Sequence, residues 1–111
     1  MQASKWFDIC DKSILSPNTG VCALVDGKQI AVFWESKNDQ LYAISNYCPF
    51  SKTHSLSRGL IGDSKGELLV ASPLYKQRFS LQTGQCLDDQ AISVPVYPVR
   101  ETKGRIEISL D

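Results

Sequence analysis

Residues 21–45 read VCALVDGKQIAVFWESKNDQLYAIS, and this stretch decides the fold class. Val21 to Val25 and Lys28 to Phe33 flank Asp26-Gly27. That two-residue loop suits positive φ at both positions, hence the type I′ turn whose twist matches paired strands. After a polar loop from Glu35 to Asp39, Gln40 to Ser45 completes a three-strand meander rich in β-branched and aromatic residues. Working outward, Lys5 to Ile9 reads as a first strand, and Asp11 to Leu15 as a helical turn before the breaker cluster at residues 16–20. Asn46 to Ser57 is a proline-containing loop. Gly59 to Ile61 and Glu67 to Ala71 form a hairpin around residues 62–66, and Ser72 to Arg78 is a second loop. Phe79 to Leu81 pairs with a strand after Thr83-Gly84, Asp88-Asp89-Gln90 breaks the run, and Val94 to Val99 pairs with Arg105 to Leu110 across Glu101 to Gly104. Nowhere does an apolar i, i+3, i+4, i+7 stripe persist for three turns. Eight to ten short strands predict an all-β fold, a small antiparallel sandwich or partly open barrel. The length of 111 residues fits one domain, 1–111.

Twelve basic residues balance twelve acidic ones, so no net positive field steers the chain onto nucleic acid. The start, MQASKWFDIC, has one lysine and no apolar stretch of signal-peptide length, and the longest apolar runs, VCALV and IAVFW, are five residues each. A cytoplasmic chain with no membrane partner is expected. Cys10, Cys22, Cys48 and Cys86 never form a CxxC or CxH pair, so they read as free thiols acting as small hydrophobes, with no metal site. His54 is the one histidine, which removes histidine-based dyads other than one with Cys48; no catalytic residue is expected. Trp6 and Trp34 lie in strand-like runs and read as packing residues.

Two loops carry more specific information: NYCPFSKTHSLSRGL (46–60) and ASPLYKQRFSLQTGQC (71–86). Together they resemble the two cluster-binding loops of Rieske ferredoxins. The first family loop opens Cys-x-His and runs into a stretch like Ser55-Leu56-Ser57-Arg58-Gly59. The second, Cys-Pro-x-His, is followed by an Arg-Phe and a Thr-Gly hairpin, here Arg78-Phe79 and Thr83-Gly84. The resemblance implies a Rieske-like fold over most of the chain. It also implies four ligand positions, because a Rieske [2Fe–2S] centre takes two thiolates on one iron and two imidazoles on the other. Those positions read Cys48, Phe50, Ser72 and Tyr75. A phenyl ring cannot ligate, and seryl or tyrosyl oxygen substitutes poorly for sulfur or imidazole. His54 lies six residues after Cys48 and cannot restore the missing pair. No cluster or other cofactor is expected on this chain.

A Rieske-like domain without its ligands is similar to the small subunit of bacterial assimilatory NAD(P)H-dependent nitrite reductases. Ser57 to Ile61, Ala71 to Leu74 and Lys76 to Phe79 resemble that family. The resemblance implies a large-subunit partner carrying FAD, an iron–sulfur cluster and sirohaem, which reduces nitrite to ammonium; this chain would be its accessory subunit. The residues themselves offer no Gly-rich dinucleotide loop and no haem-ligand constellation, so the contribution expected of them is a surface. If the loops meet at one tip, it collects Lys52, His54, Arg58, Lys76 and Arg78 around Phe50, Pro73 and Tyr75, the makeup of an interface with an apolar anchor and a charged rim. Four alternatives stay open: a tip whose charges are only solvated while Phe50 and Tyr75 fill the vacated volume, a tip that binds an anion or substrate directly, a non-enzymatic interaction module for another oxidoreductase, and a genuine electron-transfer ferredoxin.

Overall fold

The computed structural model describes residues 5–37, 39–64, 66–73 and 76–110. Among them the chain forms twelve strands: β1 (Trp6–Asp11), β2 (Gly20–Val25), β3 (Lys28–Glu35), β4 (Gln40–Ser45), β5 (Tyr47–Cys48), β6 (Thr53–His54), β7 (Leu60–Ser64), β8 (Glu67–Ala71), β9 (Arg78–Ser80), β10 (Val96–Tyr97), β11 (Val99–Thr102) and β12 (Arg105–Ser109). Three of the twelve have only two residues, which leaves nine strands of ordinary length and matches the expected eight to ten. They form four antiparallel sheets, ordered β1-β12-β11, β10-β4-β3-β2, β5-β6 and β7-β8-β9. None closes into a barrel.

The meander of residues 21–45 is the middle layer. Asp26 and Gly27 have φ of 50° and 80°, as a type I′ turn requires, and β2 pairs β3 in register from Val25↔Lys28 to Gly20↔Phe33. Strand β3 is buried on both faces, which is why its sequence is a continuous apolar run with no alternation. Ile30 and Val32 pack with Ile106 and Ile108 of β12 and Val25 of β2 in one core. Ala31 and Phe33 face the other way into a second core with Ile44, Cys48, Leu56, Val70 and Phe79. Sheet β1-β12-β11 therefore covers one side of the meander; β7-β8-β9 and the two loops cover the opposite side.

The chain departs from the sequence expectation at four places. Of Val94 to Val99 only Val99 pairs with the last strand: β10 adds to β4, whereas Val99–Thr102 pairs with β12 around Lys103-Gly104. Proline explains the split, because Pro98 has no N–H to continue a ladder. The carbonyls of Pro95 and Pro98 instead accept from Ser45 N (2.9 Å) and Ser109 N (3.0 Å), fastening the crossing segment to both layers. After Thr83-Gly84 there are only isolated bridges, Phe79↔Cys86 and Gln85↔Ser93, in place of a full strand. Strand β7 runs on to Ser64, so its hairpin loop is tighter than residues 62–66. The loop at 46–57 contains the small hairpin β5-β6 and leads into a 3-10 turn, Leu56–Arg58.

The tryptophans pack at sheet margins. Trp34 borders the core beneath β12, with Lys12 Nζ 4.4 Å over its ring and Nε1 donating to Asp39 Oδ1 at 2.9 Å. Half-buried Trp6 lies under the Arg100 guanidinium at 4.0 Å. All four cysteines are free. No helix among the described residues is long and apolar enough to cross a membrane.

Candidate functional site

The first loop is positioned by a side chain that sequence reasoning passed over. Asn46, 2% exposed at the end of β4, accepts at its backbone carbonyl from Ser55 N (2.9 Å) and Leu56 N (3.1 Å). Its side-chain Oδ1 accepts from Ser57 N at 2.7 Å, and Nδ2 donates to Gln29 Oε1 at 3.3 Å. One buried amide thus ties both ends of the loop to the middle sheet. The available signal was an amide directly after a strand and before a proline-containing loop, where side-chain to backbone bonding is favoured. Gly59 then lets the loop's exit pass against β8: a Cβ there would run into the Ala71 carbonyl. Gly20 does the same at the Ser57 carbonyl.

The two loops do meet. Cys48 and Ser72, which open them, are 0% and 1% exposed, and Cys48 Sγ–H donates to Ser72 Oγ at 3.4 Å. The loops also repeat one frame, Cys-Pro-x-x-Lys at 48–52 and Ser-Pro-x-x-Lys at 72–76. In each, the lysine N–H returns to the carbonyl of the opening residue: Lys52 N to Cys48 O at 2.8 Å, and Lys76 N to Ser72 O at 3.0 Å. In each, the lysine is left-handed, with φ of 58° and 63°. The repeat is visible in the sequence as a proline one residue, and a lysine four residues, after the loop opener.

Burial pushes the Cys48 thiol's pKa up, but this is outweighed by hydrogen bonds from the Ser51 hydroxyl and backbone, the Ser72 hydroxyl and the Phe50 backbone. The net shift is below the ordinary thiol value. His54 takes no part. Tyr47 is its cross-strand partner, with ring centroids 5.2 Å apart, while Cys48 pairs with Thr53, so the Cys48–His54 dyad is not built.

Of the expected tip residues, Lys52, His54, Arg58, Pro73, Lys76 and Arg78 are exposed. Tyr75 lies outside the described residues. Two expectations change. Phe50 is not an exposed anchor: it is half-buried against the loop-side core, its ring 6.1 Å from that of Phe79, because the apolar volume beneath the loop takes it in. Arg78 is not a free rim charge. Its backbone N–H and Nε donate to Asp88 Oδ2 at 2.8 and 3.3 Å, and Nη2 to Oδ1 at 2.8 Å. That fork holds the Asp88 carboxyl below its ordinary pKa. Lys52, Arg58 and Lys76 have no ion pair among the described residues.

The donor set does not fit a [2Fe–2S] cluster. Where four sulfur or imidazole donors are wanted, the loops present one thiol already bonded to a serine hydroxyl and a phenyl ring packed on Phe79. Among the described residues no three His, Cys, Asp or Glu side chains gather to hold a metal.

Comparison with known proteins places this geometry. The family model described as a Rieske-like [2Fe-2S] domain matches residues 5–109. The nitrite reductase (NADH) small subunit of Escherichia coli K12 is 48% identical over 105 residues, which are 95% of this chain and 97% of that relative. The solution structure of E. coli NirD superposes with a TM-score of 0.88 at 47% identity, covering 96% of this chain and 97% of that one. The nitrite reductase [NAD(P)H] large subunit of Klebsiella oxytoca also matches, 41% identical over 101 residues; these are 91% of this chain but 10% of that much longer protein. The fold, the paired loops and the end-to-end identity converge: the chain belongs to the Rieske-like domain family and, within it, to the nitrite reductase small subunits.

Proposed function

We propose that this chain works as the accessory small subunit of a cytoplasmic NAD(P)H-dependent nitrite reductase, binding a large subunit that carries FAD, an iron–sulfur cluster and sirohaem and reduces nitrite to ammonium. The observation that carries the proposal is a pair of loops joined at Cys48 and Ser72 and packed through Phe50 on Phe79, at positions where the Rieske resemblance implies ligands, in a chain matched from end to end by small subunits. Such loops serve as a surface. The Klebsiella relative supports association, since a chain named as a large subunit there contains a module like this one. The partner interface is proposed at the loop tip, with Lys52, Arg58 and Lys76 as its exposed cations and His54 and Pro73 beside them.

Co-expression with a nitrite reductase large subunit tests the proposal. A stable complex is expected, with flavin, sirohaem and all the iron in the large subunit. Stoichiometric iron and acid-labile sulfide in this chain alone would favour an electron-transfer ferredoxin, the reading that the family description itself suggests. Absence of a complex would leave an interaction module for a different oxidoreductase.

A further inference from the structure

The chain is neutral as a whole, yet its charges are sorted. Residues 40–62 and 68–87, which hold both loops, contain four of the twelve lysines and arginines and none of the twelve acids. The acids of this side lie outside those two segments: Asp63 and Glu67 at the end of the β7–β8 hairpin, where Glu67 accepts from the Ser80 hydroxyl, and Asp88 and Asp89 after the second loop, where Asp88 is bound by Arg78. The cationic character is therefore local to the two loop segments, and it comes from Lys52, Arg58 and Lys76, which have no ion pair among the described residues. Two of these three stand at equivalent positions of a repeated frame. The left-handed backbone at Lys52 and Lys76 is closed by the same return hydrogen bond, and the frames touch at Cys48 and Ser72. A left-handed lysine is uncommon, and two at matched positions are over-determined by the surrounding turns. The turns hold each lysine's backbone and leave its side chain exposed.

The opposite side has a complementary feature. Trp6 pairs with Ser109, so both ends of the described chain lie together in sheet β1-β12-β11, across the meander from the loops. A module carried within a longer chain, as in the Klebsiella relative, would be tethered from that side with its loops free.

We propose that Lys52 and Lys76 form a matched pair of cationic contacts that recognises an acidic patch on the nitrite reductase large subunit, with Arg58 on the same side. This rests on the subunit reading above and adds the chemistry of the partner surface. Attraction between such a pair and exposed carboxylates sets the association rate and the orientation of docking, and it weakens with salt.

The test is equilibrium binding of the full-length chain to the large subunit at low and at high salt, with K52E, K76E, the double variant and K103E. Lys103 is the matched control: it is exposed and left-handed (φ 50°), but it lies in the β11–β12 turn of the opposite layer. Each loop reversal is expected to weaken binding about tenfold at low salt and the pair about a hundredfold, with the gap closing at high salt. K103E should bind within about twofold of the unaltered chain. Thermal melts confirm that the variants fold. If the double variant binds as tightly as K103E, the lysine pair is overturned while the subunit reading stands. If the unaltered chain does not bind, both fall. A double variant that changed only self-association of the isolated chain would assign the tip to a second copy, and would also overturn the inference.

Discussion

Asn46 is the residue on which the first loop depends. Its amide reaches Ser57 and Gln29 from a position that excludes water, and removing it leaves a buried N–H without a partner. Asn46→Ala is expected to cost about 1–3 kcal/mol in urea unfolding and to loosen the loop, read as faster amide exchange at Ser57. The four thiols should separate by accessibility. Cys22 is exposed, though partial burial raises its pKa; Cys48 is sealed despite a pKa held low by its hydrogen bonds. A thiol behind a closed surface does not react, whatever the direction of its pKa shift. Alkylation under native conditions is therefore expected at Cys22 first, and at Cys48 and Cys86 only on unfolding. Mass mapping of the adducts checks this, and early labelling of Cys48 would show that the tip opens.

At the scale of the element, the two loops differ in how they are held. The first hangs from Asn46, and the second is pinned by Asp88 through Arg78. The Asp88 carboxyl has a depressed pKa in the folded chain, with the Arg78 hydrogen bonds as its main cause. Its stabilising contribution is complete above the unfolded carboxylate's value of about 3.9 and is lost as pH falls through the lower folded value. Asp88→Asn should lower the melting temperature at pH 7 and flatten the acid side of the stability curve below about pH 4. An unchanged pH profile would mean that the fork contributes nothing. Much of this element level was legible in the sequence. The 26–27 turn, the meander, the helical turn at 12–14 and both loops were readable because turn chemistry and strand propensity are local. The partner of residues 94–99 was not readable, because apolar period alone does not say which of two layers a strand joins.

For the whole molecule, two apolar cores share one sheet, with β3 feeding both. A defect on the loop side should thus be felt on the other. Phe79→Ala, at a fully buried ring packed on Phe50, is expected to cost about 3–5 kcal/mol. It should shift a single unfolding transition; two separate transitions by fluorescence and far-UV circular dichroism would show that the layers are independent. The pairing of chain ends beside β12 leads to a prediction about assembly. Joining a large subunit to either end of this chain through a flexible linker should preserve the complex, measured by co-elution and nitrite reduction.

The sequence alone determined that the chain is all-β and that it carries two loops resembling the Rieske frame, with Cys48, Phe50, Ser72 and Tyr75 at the positions where that resemblance implies ligands. These properties are carried by local turn chemistry, by spacing and by the identity of side chains, none of which needs a third dimension. Tertiary structure decided the rest: that Phe50 is drawn under the loop against Phe79, that Asp88 captures Arg78 across ten residues, and that Lys52 and Lys76 occupy matched turns around the Cys48–Ser72 contact. Burial and charge pairing depend on which distant segments meet, and in this chain packing on the two faces of the meander settles that.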